Sequence, residues 1–161
     1  MSKSKEEIVT AIINLYKEIP GPLLIILHAV QAELDCIPSG VVPLIAEGLN
    51  LSRAEIHGVI SFYHFFRTRP AGRYIVQICR AESCQAMGSR QLEVHAKNTL
   101  GVDYHETTED GLITLEPVYC LGNCACSPAV RIGDQIHAHV GVESFNTIIS
   151  ELASEKLEVQ N

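Results

Sequence analysis

Six cysteines are the reactive side chains to account for in this 161-residue sequence, and five fall in two short stretches. CRAESC holds Cys79 and Cys84 with four residues between them, and YCLGNCAC holds Cys120, Cys124 and Cys126. Thiolates bind metals and carry redox chemistry, so clustered thiols suggest a metal ion, an iron–sulfur cluster or thiol–disulfide exchange. Dithiol–disulfide enzymes use C-x-x-C, which is absent here. The opening MSKSKEEIV has no apolar h-region, so the expectation is a soluble, cytoplasmic protein, where lasting disulfides are rare.

The elements around these cysteines decide whether the thiols can meet. RYIVQIC (73–79) is β-branched and reads as a strand. Residues 88–100 read as a helix ended by Gly101, and LITLEPVYC (112–120) as a second strand. A helical crossover makes the two strands parallel, so their C-terminal ends share one edge of the sheet. Cys79 and Cys84 follow one end, and Cys120 and Cys124 the other. Four thiolates brought together repel one another unless a cation or cluster neutralises them. Zn²⁺ and a [2Fe–2S] cluster both suit four cysteines, and unliganded thiols are the third alternative. The wide C-x4-C and C-x3-C loops favour the larger cluster, with Gly88 and Gly122 expected to let the backbone approach the sulfurs.

The rest of the chain is organised around this block. Ser4 with Glu7, and Ser52 with Glu55, form capping boxes ahead of apolar stripes. Pro20–Gly21 breaks the first helix, and Pro22 opens a second with Leu23, Leu27, Val30 and Leu34 on one face. A third helix is expected over Val41 to Gly48, and the fourth carries Ile56, Val59, Ile60 and Tyr63 on one face. RTRPAGR reads as a linker, giving a helical segment at 1–68 and an α/β domain at 69–161. In that second domain a hairpin turns at Gly133–Asp134, and a last helix carries Val142, Phe145, Ile148, Ile149 and Leu152; the expected order is β, α, β, β, β, α. The net charge of −7 argues against a nucleic-acid surface, and no apolar run is long enough to span a bilayer.

CRAESC and YCLGNCACSPA, with LLIILHAVQAEL, IPSGVVPLIAEGLNLSRAEIHGVISFYHFFR and PAGRYIVQICRAESC upstream, resemble the thioredoxin-like [2Fe–2S] subunits of NADH-linked oxidoreductases. The resemblance implies an α/β fold, a helical N-terminal segment followed by a thioredoxin-like [2Fe–2S] ferredoxin domain. It implies that Cys79, Cys84, Cys120 and Cys124 ligate the cluster, and that the helical segment docks on an FMN- and NAD-binding flavoprotein. Within the family, CRAESCQAMG and the additional Cys126 look most like the γ subunits of soluble, NAD-dependent formate dehydrogenases. That likeness implies a formate-oxidising partner holding a molybdenum or tungsten cofactor, with FMN and NAD also confined to partners. Complex I and NAD-linked hydrogenases are the nearest alternative settings, and a zinc-stabilised interaction module is the alternative of another class.

The remaining reactive residues have plainer expectations. Cys126 is read as packing its loop, and Cys36 as core. The seven histidines are scattered; His57 and His64 are placed on a helix, and His137 and His139 alternate along a strand. FYHFF (62–66) is either the core end of a helix or a partner contact, since aromatics are enriched at interfaces. Arg80, beside a candidate ligand, could stabilise an anionic cluster or face solvent. There is no G-x-G-x-x-G after a strand, no P-loop and no nucleophile elbow, so nothing here is built to bind NAD or formate.

Overall fold

The computed structural model describes residues 4–158, in two compact units that part between Pro70 and Ala71. The first unit is helical: α1 (Lys5–Tyr16), α2 (Leu23–Leu34), a 3₁₀ turn (Ser39–Val41), α3 (Val42–Leu49) and α4 (Arg53–Phe62). Both capping boxes form. The Ser4 hydroxyl accepts from Glu7 N–H and the Ser52 hydroxyl from Glu55 N–H, each at 3.2 Å, while each glutamate accepts from the serine's own N–H. Pro22 is the N-cap of α2 and not part of its first turn. The buried face of α2 is Ile26, Leu27, Val30 and Gln31, with Leu23 and Leu34 flanking it half-buried. This face packs with Val9, Ile13, Ile37, Ile45, Ile56 and Ile60 into one core.

FYHFF is not the end of a helix. The helix α4 stops at Phe62, and Tyr63, its C-cap, is extended, so His64 lies past it. Phe66 alone of the four aromatics is buried; Phe62 and Phe65 are 75% and 57% exposed. Gln31 holds this segment in place: its Nε2 donates to the Phe65 carbonyl at 2.9 Å, and its Oε1 accepts from Arg67 N–H at 2.7 Å.

The second unit contains β1 (Tyr74–Cys79), α5 (Glu82–Ala86), α6 (Ser89–Leu100), β2 (Glu106–Thr107), β3 (Ile113–Val118), β4 (Val130–Ile132), β5 (Gln135–His137) and α7 (Val142–Glu158). The sheet order is β2-β3-β1-β4-β5. The central pair, β1 and β3, is parallel and the remaining pairs are antiparallel. Val76, Ile78, Ile113, Leu115 and Val130 from the sheet meet Leu92, Ala96 and Phe145 from α6 and α7 in a second core. Gly101 caps α6 at φ 68°, a left-handed conformation that costs glycine little.

Two elements depart from the expected order. The five-residue α5 contains Cys84, which the sequence reading places in a loop. The two-residue β2 exists only through its register with β3, Glu106 opposite Leu115 and Thr107 opposite Thr114. Neither is long enough to show a periodicity. Among the described residues, no helix is long and apolar enough to cross a membrane.

Candidate functional site

The parallel pairing delivers both cysteine-bearing turns to one rim of the sheet. Cys79, the last residue of β1, stands opposite Val118, the last residue of β3. Cys79 is 2% exposed, and its N–H donates to the Ala129 carbonyl at 3.1 Å. Cys84 is equally buried, within α5. Cys120 comes two residues after β3 with φ 135°, and Cys124 opens a 3₁₀ turn (Cys124–Cys126). These two are exposed, and their sulfurs lie 3.7 Å apart.

The thiols form two pairs that sense each other. Ser83, next to Cys84, donates to the Cys124 carbonyl at 2.9 Å and so ties the first pair to the second. Burial pushes the Cys79 thiol up, its bond to Cys84 adds to that, and the N–H groups of Ala81 and Leu121 oppose it. Burial also acts to raise Cys84, but its contacts with Ser127, Cys79 and the Ala129 backbone outweigh it, and its pKa is lowered. Cys124 is raised, chiefly by its bond to Cys120.

This donor set suits a [2Fe–2S] cluster. Two cysteine pairs meet where the Ser83 hydroxyl lies 2.9 Å from the Cys124 carbonyl oxygen, and the Gly122 amide already points at the Cys120 sulfur, 3.3 Å away. Hydrogen bonds of this kind stabilise ligand sulfur. Among the described residues, no three histidine, cysteine or acidic side chains are grouped as ligands of a single ion. Gly122 brings its N–H to the Cys120 sulfur, and both Gly122 and Gly88 are left-handed. A Cβ at either would meet no atom within 4 Å; they have φ of 76° and 100°, and that conformation is what calls for glycine.

The remaining reactive residues take plainer positions. Cys126 is half-buried, and its carbonyl accepts from His139 N–H at 2.9 Å. Cys36 is buried in the helical unit. Arg80 turns to α6, with its Nε 2.9 Å from Glu93 and its guanidinium 5.3 Å from the Tyr104 ring centre. His137 ends β5, whereas His139 lies beyond the strand at φ 50°. Sequence reasoning missed Ser83, Ser89 and Ser127. Ser89 Oγ donates to the Cys79 carbonyl at 2.5 Å, and the other two bridge the cysteine turns. A serine one residue before Cys84 was the local signal for Ser83.

A mixed sheet whose parallel centre brings two cysteine pairs to one rim defines an α/β ferredoxin-type protein. This chain belongs to the thioredoxin-like [2Fe–2S] ferredoxin family, which matches residues 9–153. The family's cofactor is therefore a [2Fe–2S] cluster. The chain is 32% identical over 145 residues to an NADH-quinone oxidoreductase subunit of Rhizobium meliloti (strain 1021), covering 90% of this chain and 86% of that one. It is 31% identical over 132 residues to the NADP-reducing hydrogenase subunit HndA of Solidesulfovibrio fructosivorans, covering 81% and 77%. Against an NADH-quinone oxidoreductase subunit of Mycobacterium tuberculosis (strain ATCC 25618 / H37Rv), 33% identity spans 89% of this chain and 57% of the relative. The crystal structure of an air-oxidized NAD⁺-reducing [NiFe]-hydrogenase superposes with a TM-score of 0.67 over 83% of this chain and 23% of that chain. At 21% identity that likeness is one of fold.

Proposed function

We propose that this chain carries single electrons as a subunit of an NAD-linked oxidoreductase complex, with Cys79, Cys84, Cys120 and Cys124 holding one [2Fe–2S] cluster. The observation that carries the reading is the meeting of two cysteine pairs, one buried and one exposed, with the Ser83 hydroxyl 2.9 Å from the Cys124 carbonyl oxygen between them. When bound, the cluster supplies one-electron redox chemistry. The buried Cys79 and Cys84 would keep water from one side of the centre. The exposed Cys120 and Cys124, beside an exposed Tyr119, leave the other side open to an electron partner. The Gly122 amide on the Cys120 sulfur favours added negative charge and so helps set the potential.

In this reading the helical segment, 1–68, docks on an FMN- and NAD-binding flavoprotein, and the α/β domain, 69–161, carries the centre. The setting is the cytoplasm, where clustered thiols stay reduced. The finer proposal is the γ subunit of an NAD-dependent formate dehydrogenase, whose formate-oxidising partner holds molybdenum or tungsten. CRAESCQAMG and Cys126 support it. A second setting, an NADH-quinone oxidoreductase or a hydrogenase, is favoured by the names of the relatives.

Anaerobic purification with iron and zinc analysis tests the cluster. The expected protein is red-brown, bleaches with dithionite and gives an EPR signal on reduction; a colourless zinc protein overturns the proposal. Isolating the intact complex through a tag on this chain tests the setting. Formate-dependent NAD⁺ reduction supports the finer proposal, whereas hydrogen- or quinone-linked activity without it supports the second.

A further inference from the structure

Two serine hydroxyls lie between the cysteine turns, and they serve the proposed centre in a way the four ligands do not. Ser127 is 4% exposed. Its Oγ lies 3.5 Å from Cys84 Sγ, 2.8 Å from the Cys124 carbonyl oxygen and 2.8 Å from Ser83 Oγ. Ser83 Oγ lies 2.9 Å from the same carbonyl. One hydroxyl pair therefore touches the segment of Cys84, the backbone of Cys124 and the Cys84 sulfur.

Proton counting decides what this arrangement does. Each hydroxyl has one proton to donate. With Cys84 as a thiol, its S–H donates to Ser127 Oγ, and Ser127 gives its own proton to the Cys124 carbonyl. As a ligand, Cys84 has no proton, and its sulfur can only accept. The Ser127 proton then has two competing acceptors, the sulfur and the carbonyl. Ser83 removes the competition, because it can supply the Cys124 carbonyl itself, the hydrogen bond between the two hydroxyls being given up in exchange. The Ser127 hydroxyl is left to turn to the sulfur at a distance it already occupies.

Resting on the four-cysteine reading, we propose that Ser127 donates a hydrogen bond to Cys84 Sγ in the cluster-bound protein and raises the reduction potential. Ser83 is the positioning residue that keeps the Cys124 carbonyl satisfied. A donor on ligand sulfur stabilises the reduced state more than the oxidised one, since reduction adds negative charge. Burial strengthens the effect, because little water screens the bond.

The test compares wild-type protein with S127A, S127T and S83A, each as the full chain, by iron content and by redox titration followed with EPR. S127A is expected to keep the full iron content while its equilibrium constant for reduction falls three- to tenfold, the tenfold end being about 59 mV for a one-electron couple. S127T keeps a hydroxyl and should stay near the wild-type potential. S83A should shift in the same direction as S127A but less, because Ser127 then divides its proton between two acceptors. S127A with full iron content and the wild-type potential overturns the proposal. Should S127A fail to assemble a cluster, S83A decides alone, and an unchanged potential there overturns it. Wild-type protein without iron instead refutes the four-cysteine reading, and the role of Ser127 falls with it.

Discussion

Cys79 and Val118 stand opposite each other in the parallel register of β1 and β3, and the next amide along, Arg80 N–H, donates to the Val118 carbonyl at 2.7 Å. The two strands thus leave the sheet on the same rung. The first cysteine pair is reached at once from β1, and the second after a two-residue run from β3. A one-residue slip of this register would turn every side chain of the slipped strand to the opposite face and separate the pairs.

Ligand substitution should separate Cys120 from Cys126. Cys120→Ser is expected to lower iron content and change the EPR spectrum, because serine is a harder ligand than thiolate. Cys126→Ser, whose observed contacts run through its backbone, is expected to leave both unchanged. Iron retained in full by Cys120→Ser with an unaltered spectrum would remove that residue from the ligand set.

Ser89→Ala should weaken the α/β unit. The Ser89 hydroxyl is buried and makes its bond to the Cys79 carbonyl from the first turn of α6. Losing a buried donor of this kind costs about 1–3 kcal/mol. Denaturant unfolding should show the loss as a lower midpoint with an unchanged slope.

In the helical unit, Gln31→Leu should be at least as damaging. It leaves the Phe65 carbonyl and the Arg67 N–H without the partners they now have. Both bonds are part-buried, so each group left unpaired costs less than the ~1–3 kcal/mol of a fully buried one, and the sum should still be visible in thermal unfolding. Faster amide exchange at Arg67 would locate it to the segment after α4.

Tyr104 should make the protein sensitive to alkali. Burial is the main cause that pushes its phenol well above the ordinary value, helped by the nearby Glu93 carboxylate. A raised folded-state pKa means that the unfolded chain loses its proton first. Stability is therefore intact below the unfolded-state value near 10 and declines as pH rises past it. The Tyr104 hydroxyl makes no hydrogen bond of ordinary geometry, so Tyr104→Phe should match wild type at pH 7. Above about pH 10 the variant should become the more stable of the two in urea titrations. Parallel curves across that range would show that burial of the phenol does not control the alkaline limb.

Features set by neighbours in the chain were legible from the residues alone. Both capping boxes, the Gly101 stop and the hairpin turn at Gly133–Asp134 depend on bonds or torsions a few positions apart. The parallel β1–β3 pair followed from one helix between two β-branched runs, because a crossover of that length admits few alternatives. Elements with no period of their own were not legible. The strand β2 is two residues held by its partner, and α5 is barely more than one turn. The stop of α4 at Phe62 also escaped the apolar pattern, and with it the exposure of Phe62 and Phe65.

By itself the sequence determined the helical N-terminal part, the α/β part and the thiol pairs at two strand ends, since each rests on local propensity, spacing or chain connectivity. Tertiary structure alone decided which pair is buried, and that Ser127 reaches Cys84 from 43 positions away. Such contacts depend on the packing of segments that share no local pattern, so their geometry exists only once the sheet has closed around them.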